Sequence, residues 1–149
     1  MRRRHQKLPS SGDKREALRV KGQFWTPEWV ARAMVAYLDT DARQLNIFDP
    51  AVGSGAFFLA AKHLARELGK RVRLSGTELD PGILDEARRA GLDRGDLQDV
   101  QITDFVFSPP DKSFPGIVAN PPYIRHHRLS AEAKAKLIPS TRIATSLSR

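Results

Sequence analysis

Apolar positions along the chain fall into short clusters with different spacings. Val30, Met34, Val35 and Leu38 recur at helical intervals after Thr26-Pro27-Glu28, where a hydroxyl, a proline and an acid predict a helix start. Leu45 to Phe48 is a short apolar run closed by Asp49-Pro50, the pattern of a buried strand followed by a turn. Gly53-Ser54-Gly55 opens an alanine- and leucine-rich helix from Ala56 to Leu68, with Gly69 as its stop. Val72 to Thr77 predicts a second strand, and Asp80-Pro81 caps a further helix that runs to about Ala90 and stops at Gly91. Val100 to Ile102 and Gly116 to Ala119 predict a third and a fourth strand. Ser130 caps a short helix through Leu137, ended by Pro139.

Strands alternating with helices indicate an α/β fold built on a mainly parallel sheet. Ser108-Pro109-Pro110-Asp111 reads as loop, so the crossover into the fourth strand is expected to lack a full helix. The expected spatial order is third, second, first, fourth, with right-handed crossovers. In such a sheet ligands sit beyond the carboxyl ends of the strands, at the switch point. Four distinctive stretches fall at the four predicted ends: Asp49-Pro-Ala-Val-Gly-Ser-Gly55, Gly76-Thr-Glu78-Leu-Asp80, Ile102-Thr-Asp104-Phe105 and Asn120-Pro-Pro-Tyr123.

Gly53 and Gly55 allow close backbone approach to a ligand, although a tight turn would need the same residues. Glu78 follows Gly55 by 23 residues, near the roughly 20-residue spacing at which an acid accepts ribose hydroxyls. Asp104 can accept from an adenine amino group, and Phe105 offers a ring face for stacking. Asn120-Pro121-Pro122 cannot continue a strand, because the proline pair withdraws two N–H donors and fixes an extended backbone. What remains is a rigid edge of acceptors. The Asn120 side-chain oxygen and the Pro121 carbonyl can face one amino group, and accepting both its protons directs the nitrogen lone pair at an electrophile. Tyr123 can stack on the ring carrying that amine.

Composition adds three constraints. The 149 residues allow one domain with a real core, and there is no cysteine to form a disulfide or a thiolate metal site. No apolar run approaches membrane-spanning length and no signal peptide is evident, so a cytoplasmic location without membrane attachment is expected. A net charge of +8 and a sequence pI near 10.3 favour a polyanionic partner. Part of that charge sits in residues 1–21, expected as a disordered basic tail. Arg125, His126, His127 and Arg128 follow the Asn-Pro-Pro-Tyr turn. Adjacent histidines without further ligands make a poor zinc site, and no metal is expected; contact with nucleic-acid phosphates is the reading adopted.

Taken in order, "GQFWTPEWVARAMV", "DPAVGSGAFFLAA", "GTELDP", "ITDF" and "NPPYIRHHRL" resemble the N6-adenine DNA methyltransferases of restriction–modification systems whose cofactor motifs precede the catalytic one. The resemblance spans residues 22 to 130, and its first and last segments are the most specific. It implies a Rossmann-like S-adenosylmethionine-dependent methyltransferase fold, here with about four parallel strands, over residues 22–149. It implies S-adenosyl-L-methionine held by Thr26 and the Asp49 loop (methionine part), Glu78 (ribose), and Asp104 with Phe105 (adenine). It further implies transfer of a methyl group to N6 of an adenine flipped from double-stranded DNA, with Asn120, Pro121 and Tyr123 as the catalytic set. Val52 stands where the family usually has cysteine, an apolar exchange of similar size. The family's later strands and its target-recognition domain are not in the sequence. An N-terminal fragment, a truncated gene product, or one piece of a split enzyme completed by a separate chain is therefore expected. An RNA or protein-glutamine methyltransferase, or a non-catalytic remnant that binds cofactor or nucleic acid, are the alternatives.

Overall fold

A computed structural model describes residues 25–40 and 42–121. The expected tail over 1–21, the helix from Ser130 and the stretch from Tyr123 to Arg128 lie outside these residues. Helix α1 (Glu28–Tyr37) is followed by strand β1 (Gln44–Asp49), helix α2 (Ala56–Glu67) and strand β2 (Arg71–Glu78). A 3-10 turn (Pro81–Ile83) leads into helix α3 (Leu84–Ala90), and strand β3 (Val100–Ile102) completes the set. The further helix expected from Asp80 is thus split. Asp80 does cap it, accepting from Gly82 N–H at 2.9 Å, but the first turn is wound as 3-10.

All pairings among the described residues are parallel. β1 and β2 are in register from Gln44 opposite Arg71 to Asp49 opposite Gly76, and β2 and β3 from Gly76 opposite Val100 to Glu78 opposite Ile102. Parallel neighbours require a crossover, which α2 supplies between the first pair and the 3-10 turn with α3 between the second. On the far side of β1, Phe48 pairs with Ile117, so the described strands run in the expected order of third, second, first, fourth. The fourth differs from expectation in extent. Instead of a strand over Gly116–Ala119 there is a single bridge, made by Phe48 N–H to Gly116 O at 2.8 Å and Val118 N–H to Phe48 O at 3.0 Å. Beyond Phe48 the next residue of the chain that faces this segment is Pro50, which has no N–H to continue the ladder. Gly116 passes so close to β1 that a Cβ there would lie 2.8 Å from Asn46 O.

The core lies between the sheet and the helices. Ala31 and Val35 of α1, Phe57, Phe58 and Ala61 of α2, and Leu84 and Ala87 of α3 pack with Leu45, Ile47 and Leu74 from the strands. Phe58 is fully buried, a contribution of about 1.5–3 kcal/mol from its side chain alone. The buried face of α1 is centred on Ala31 and Val35, with Val30, Met34 and Leu38 only half-buried at its sides. Small Ala31 is what lets α1 lie close to α2. Alternation along β1 sends Phe48 to the opposite face. There the Phe114 ring stacks on it (centroids 3.7 Å apart, planes at 19°) and the Phe105 ring lies 5.9 Å away. Both rings come from the segment between β3 and Ile117, which contains no helix, as the Ser108-Pro-Pro-Asp loop predicts.

The start of α1 also departs from expectation. Pro27, not Thr26, occupies the cap position, and no side chain caps the helix. The first helical bond runs from Ala31 N–H to Pro27 O at 3.0 Å. The Thr26 hydroxyl is used elsewhere.

Candidate active site

Because the strands are parallel and in register, Asp49, Glu78 and Ile102 end on the same edge of the sheet, and the turns that follow them meet there. The turn after β1 is stitched to the end of β2. Val52 N–H donates to Thr77 O at 3.1 Å, the buried Thr77 hydroxyl donates to Pro50 O at 2.6 Å, and Gly53 N–H donates to Glu78 Oε2 at 2.7 Å. Gly53 (φ 55°) and Gly55 (φ 80°) both take the left-handed conformation that other residues rarely adopt. At Gly55 a Cβ would also run into Leu92 Cδ1. The need for glycine there is met by the turn and by packing inside the protein, before any ligand is considered.

Asp49 is 1% exposed, and its Oδ1 accepts from Ala51 N–H at 2.9 Å. Among the described residues its Oδ2 has no hydrogen-bond partner. Burial pushes the carboxyl up to about 7, the Ala51 N–H works against that shift, and the charge of nearby Glu78 adds to it. A buried, half-satisfied carboxylate is costly unless a donor or a cation arrives. Glu78 is differently placed. Its Oε1 accepts from Leu79 N–H at 2.7 Å and Asp80 N–H at 2.9 Å, while among the described residues Oε2 accepts only from Gly53. A carboxylate has about four acceptor positions, so one remains on Oε2 for a hydroxyl donor. The pair therefore fits a ligand that carries an ammonium or sulfonium charge and hydroxyl groups.

Asp104 accepts from Val106 N–H at 2.9 Å and so shapes the turn after β3. Phe105 is half-buried against Phe48. Two exposed apolar side chains at the strand ends were not singled out from the sequence: Leu79, 68% exposed, and Val106. Leu79 could have been noticed as an apolar residue held between two acids at a strand end, where core burial is not available.

Asn120 enters the same region from the Phe48–Ile117 bridge, with Val118 buried just before it. Its Nδ2 donates to the Thr26 hydroxyl at 3.1 Å, across 94 positions of sequence. Among the described residues none donates to its Oδ1. Pro121 is exposed at the limit of the described chain. Of the sequence-predicted residues, Asp49, Gly53 and Glu78 are directly joined or neighbouring, Thr26 joins Asn120, and Asp104 and Phe105 form the adjoining turn.

Among the described residues no helix is long and apolar enough to cross a membrane. Residues 14–144 match the model of the N-6 DNA Methylase family. The chain is 31% identical over 118 residues to the type II methyltransferase M.XamI of Xanthomonas campestris pv. amaranthicola, covering 76% of this chain and 22% of that protein. A solved type I restriction-modification system methyltransferase subunit from Streptococcus thermophilus is similar with a TM-score of 0.54 and 26% identity, over 67% of this chain and 23% of the other. A class I S-adenosylmethionine-dependent methyltransferase of Listeria monocytogenes (TM-score 0.50, 16% identity, 64% of this chain and 30% of that one) shares the fold. The chain thus spans about a quarter of the length of these relatives. The α/β architecture is that of S-adenosylmethionine-dependent methyltransferases, and the chain belongs to the N-6 DNA methylase family.

Proposed function

We propose that the protein transfers a methyl group from S-adenosylmethionine to N6 of an adenine flipped out of double-stranded DNA, as part of a restriction–modification methyltransferase acting in the cytoplasm. The observation that supports this reading is that Asn120 and Pro121 follow the Phe48–Ile117 bridge, beside the strand ends that carry the buried Asp49 and the half-buried Glu78.

When bound, S-adenosylmethionine supplies a methyl group activated on a sulfonium. Asp49 Oδ2 is proposed to meet the positive methionine part, Glu78 Oε2 the ribose hydroxyls, and Asp104 with Phe105 the adenine. The Asn120 amide oxygen and the Pro121 carbonyl accept the two protons of the substrate amine and aim its lone pair. Neither carbonyl is basic enough to keep a proton, so the surplus proton of the methylated amine leaves to water. Tyr123 is assigned to stacking on the flipped base, and Arg125, His126, His127 and Arg128 to its flanking phosphates. A separate chain supplying further strands and target recognition is part of the proposal.

The test is tritiated methyl transfer to adenine-containing duplex DNA, to RNA and to a release-factor peptide, each with the Asn120→Ala protein as control. Transfer to DNA adenine that Asn120→Ala abolishes supports the proposal. Transfer confined to RNA or to the peptide's glutamine amide overturns it.

A further inference from the structure

We infer that Thr26 is a positioning residue for Asn120: its hydroxyl holds the side-chain amide by the nitrogen, so that the amide oxygen is the atom left for the substrate amine. The inference rests on the function proposed above and gives Thr26 a different partner from the cofactor's methionine part.

An asparagine amide turns about a broad, roughly two-fold torsion, and its two ends have opposite hydrogen-bonding character. Turned one way, it offers an acceptor to an incoming amine. Turned the other way, it sets its own N–H groups against those of the substrate. Some neighbour must take up the nitrogen end for the productive orientation to persist. Thr26 Oγ1 does so at 3.1 Å, and both side chains are half-buried, where water replaces such a bond poorly. The hydroxyl is available because the helix it precedes is begun by Pro27 without any side-chain cap. The oxygen it leaves open meets no donor among the described residues. The segment entering α1 and the turn after Ile117 are thereby tied at the reacting amide itself.

The bond is read directly by nitrogen-15 NMR of the 149-residue chain, through solvent exchange of the Asn120 side-chain NH2. Removing one ordinary hydrogen bond is worth about tenfold. Thr26→Val is expected to speed that exchange by about this factor, and Thr26→Ser to keep it slow. Thr26→Ala takes the place of valine if the backbone amide spectrum shows that valine disturbs the fold. Equal exchange in the wild-type chain and the hydroxyl-free variant overturns the inference.

Methyl transfer supplies the second reading. The hydroxyl-free variant should lose about tenfold in kcat with cofactor affinity unchanged, and Thr26→Ser should recover it. Loss of cofactor affinity with kcat intact would make Thr26 a cofactor contact, and the inference would be wrong. Slow Asn120 NH2 exchange that needs the Thr26 hydroxyl, in a protein that methylates no adenine in DNA, would sink the proposed function while leaving the pairing in place.

Discussion

The Gly53 backbone N–H donates to Glu78 Oε2 at 2.7 Å, tying the turn after β1 to the end of β2. Leu79 and Asp80 donate to the other oxygen, so one side chain collects three backbone donors and holds the glycine turn open at a fixed width. Glu78→Ala should therefore remove a ribose acceptor and the brace of the turn together. The expected loss in S-adenosylmethionine affinity is about 1.5–3 kcal/mol, measured by calorimetry. Unchanged affinity in a protein whose wild type binds would take Glu78 out of the site.

Asp49 gives the cofactor-free chain a pH dependence of known sign. Its folded pKa, about 7, lies above the ordinary aspartate value of 3.8 because burial disfavours the charge. Above pH 7 the folded state carries the full cost of that charge. The cost shrinks as pH falls and is gone only below about pH 3, where both folded and unfolded forms are protonated. Stability should rise from pH 8 to pH 5 by about 2.5 kcal/mol, read from urea midpoints. Asp49→Asn should flatten this slope, and an unaltered slope in that variant would assign it to another group. Cofactor affinity should move the opposite way, weakening as pH falls through 7 and the attraction for a cation is lost.

Phe114 covers Phe48 on the face that no described helix protects. Phe114→Ala should destabilise the chain by about 1–3 kcal/mol, less than a fully buried phenylalanine because the ring is half-exposed. A urea titration measures this, and a change below about 0.5 kcal/mol, the scale of an ordinary surface substitution, would mean the stacked ring contributes nothing to the fold.

The 149-residue chain by itself is expected to turn over far more slowly than a full-length relative. Asn120 is carried by a segment joined to the sheet at one bridge, and Ile117 is 54% exposed beside it. Flipping a base out of the duplex also costs a few kcal/mol that contacts from elsewhere must offset. Supplying the rest of a relative's catalytic domain in trans should raise the rate, and Asn120→Ala should abolish the gain. Comparable turnover by the purified chain alone would refute this.

Much of the fold was legible because its signals are local. Leu45–Phe48, Val72–Thr77 and Val100–Ile102 stand within two residues of the observed strands, each bounded by residues that break pairing. Strand ends then placed Asp49, Glu78 and Asn120 near one edge. What the sequence could not show depends on distant partners. A threonine before Pro-Glu has the pattern of a cap, and only the fold reveals that its hydroxyl faces a residue 94 positions later. The curtailed fourth strand was hidden for a similar reason, since ladder length is set by what lies opposite, here Pro50. The apolar pair Leu79 and Val106 lacks any periodicity that would separate it from core.

A segment fastened at one point has a frame that must be chosen correctly, and Gly116 chooses it. Only a residue without a Cβ fits against Asn46 O, so neither Pro115 nor Ile117 can take that place. A slip by one residue would turn Ile117 inward and Val118, now 3% exposed, outward. It would also carry Asn120 about 3.3 Å along the strand direction, beyond hydrogen-bonding reach of Thr26. Such a misaligned chain could keep its helices, its three paired strands and its carboxylate edge intact. It would be well folded by most bulk measures and yet have the Asn120 amide out of phase with the strand ends beside it.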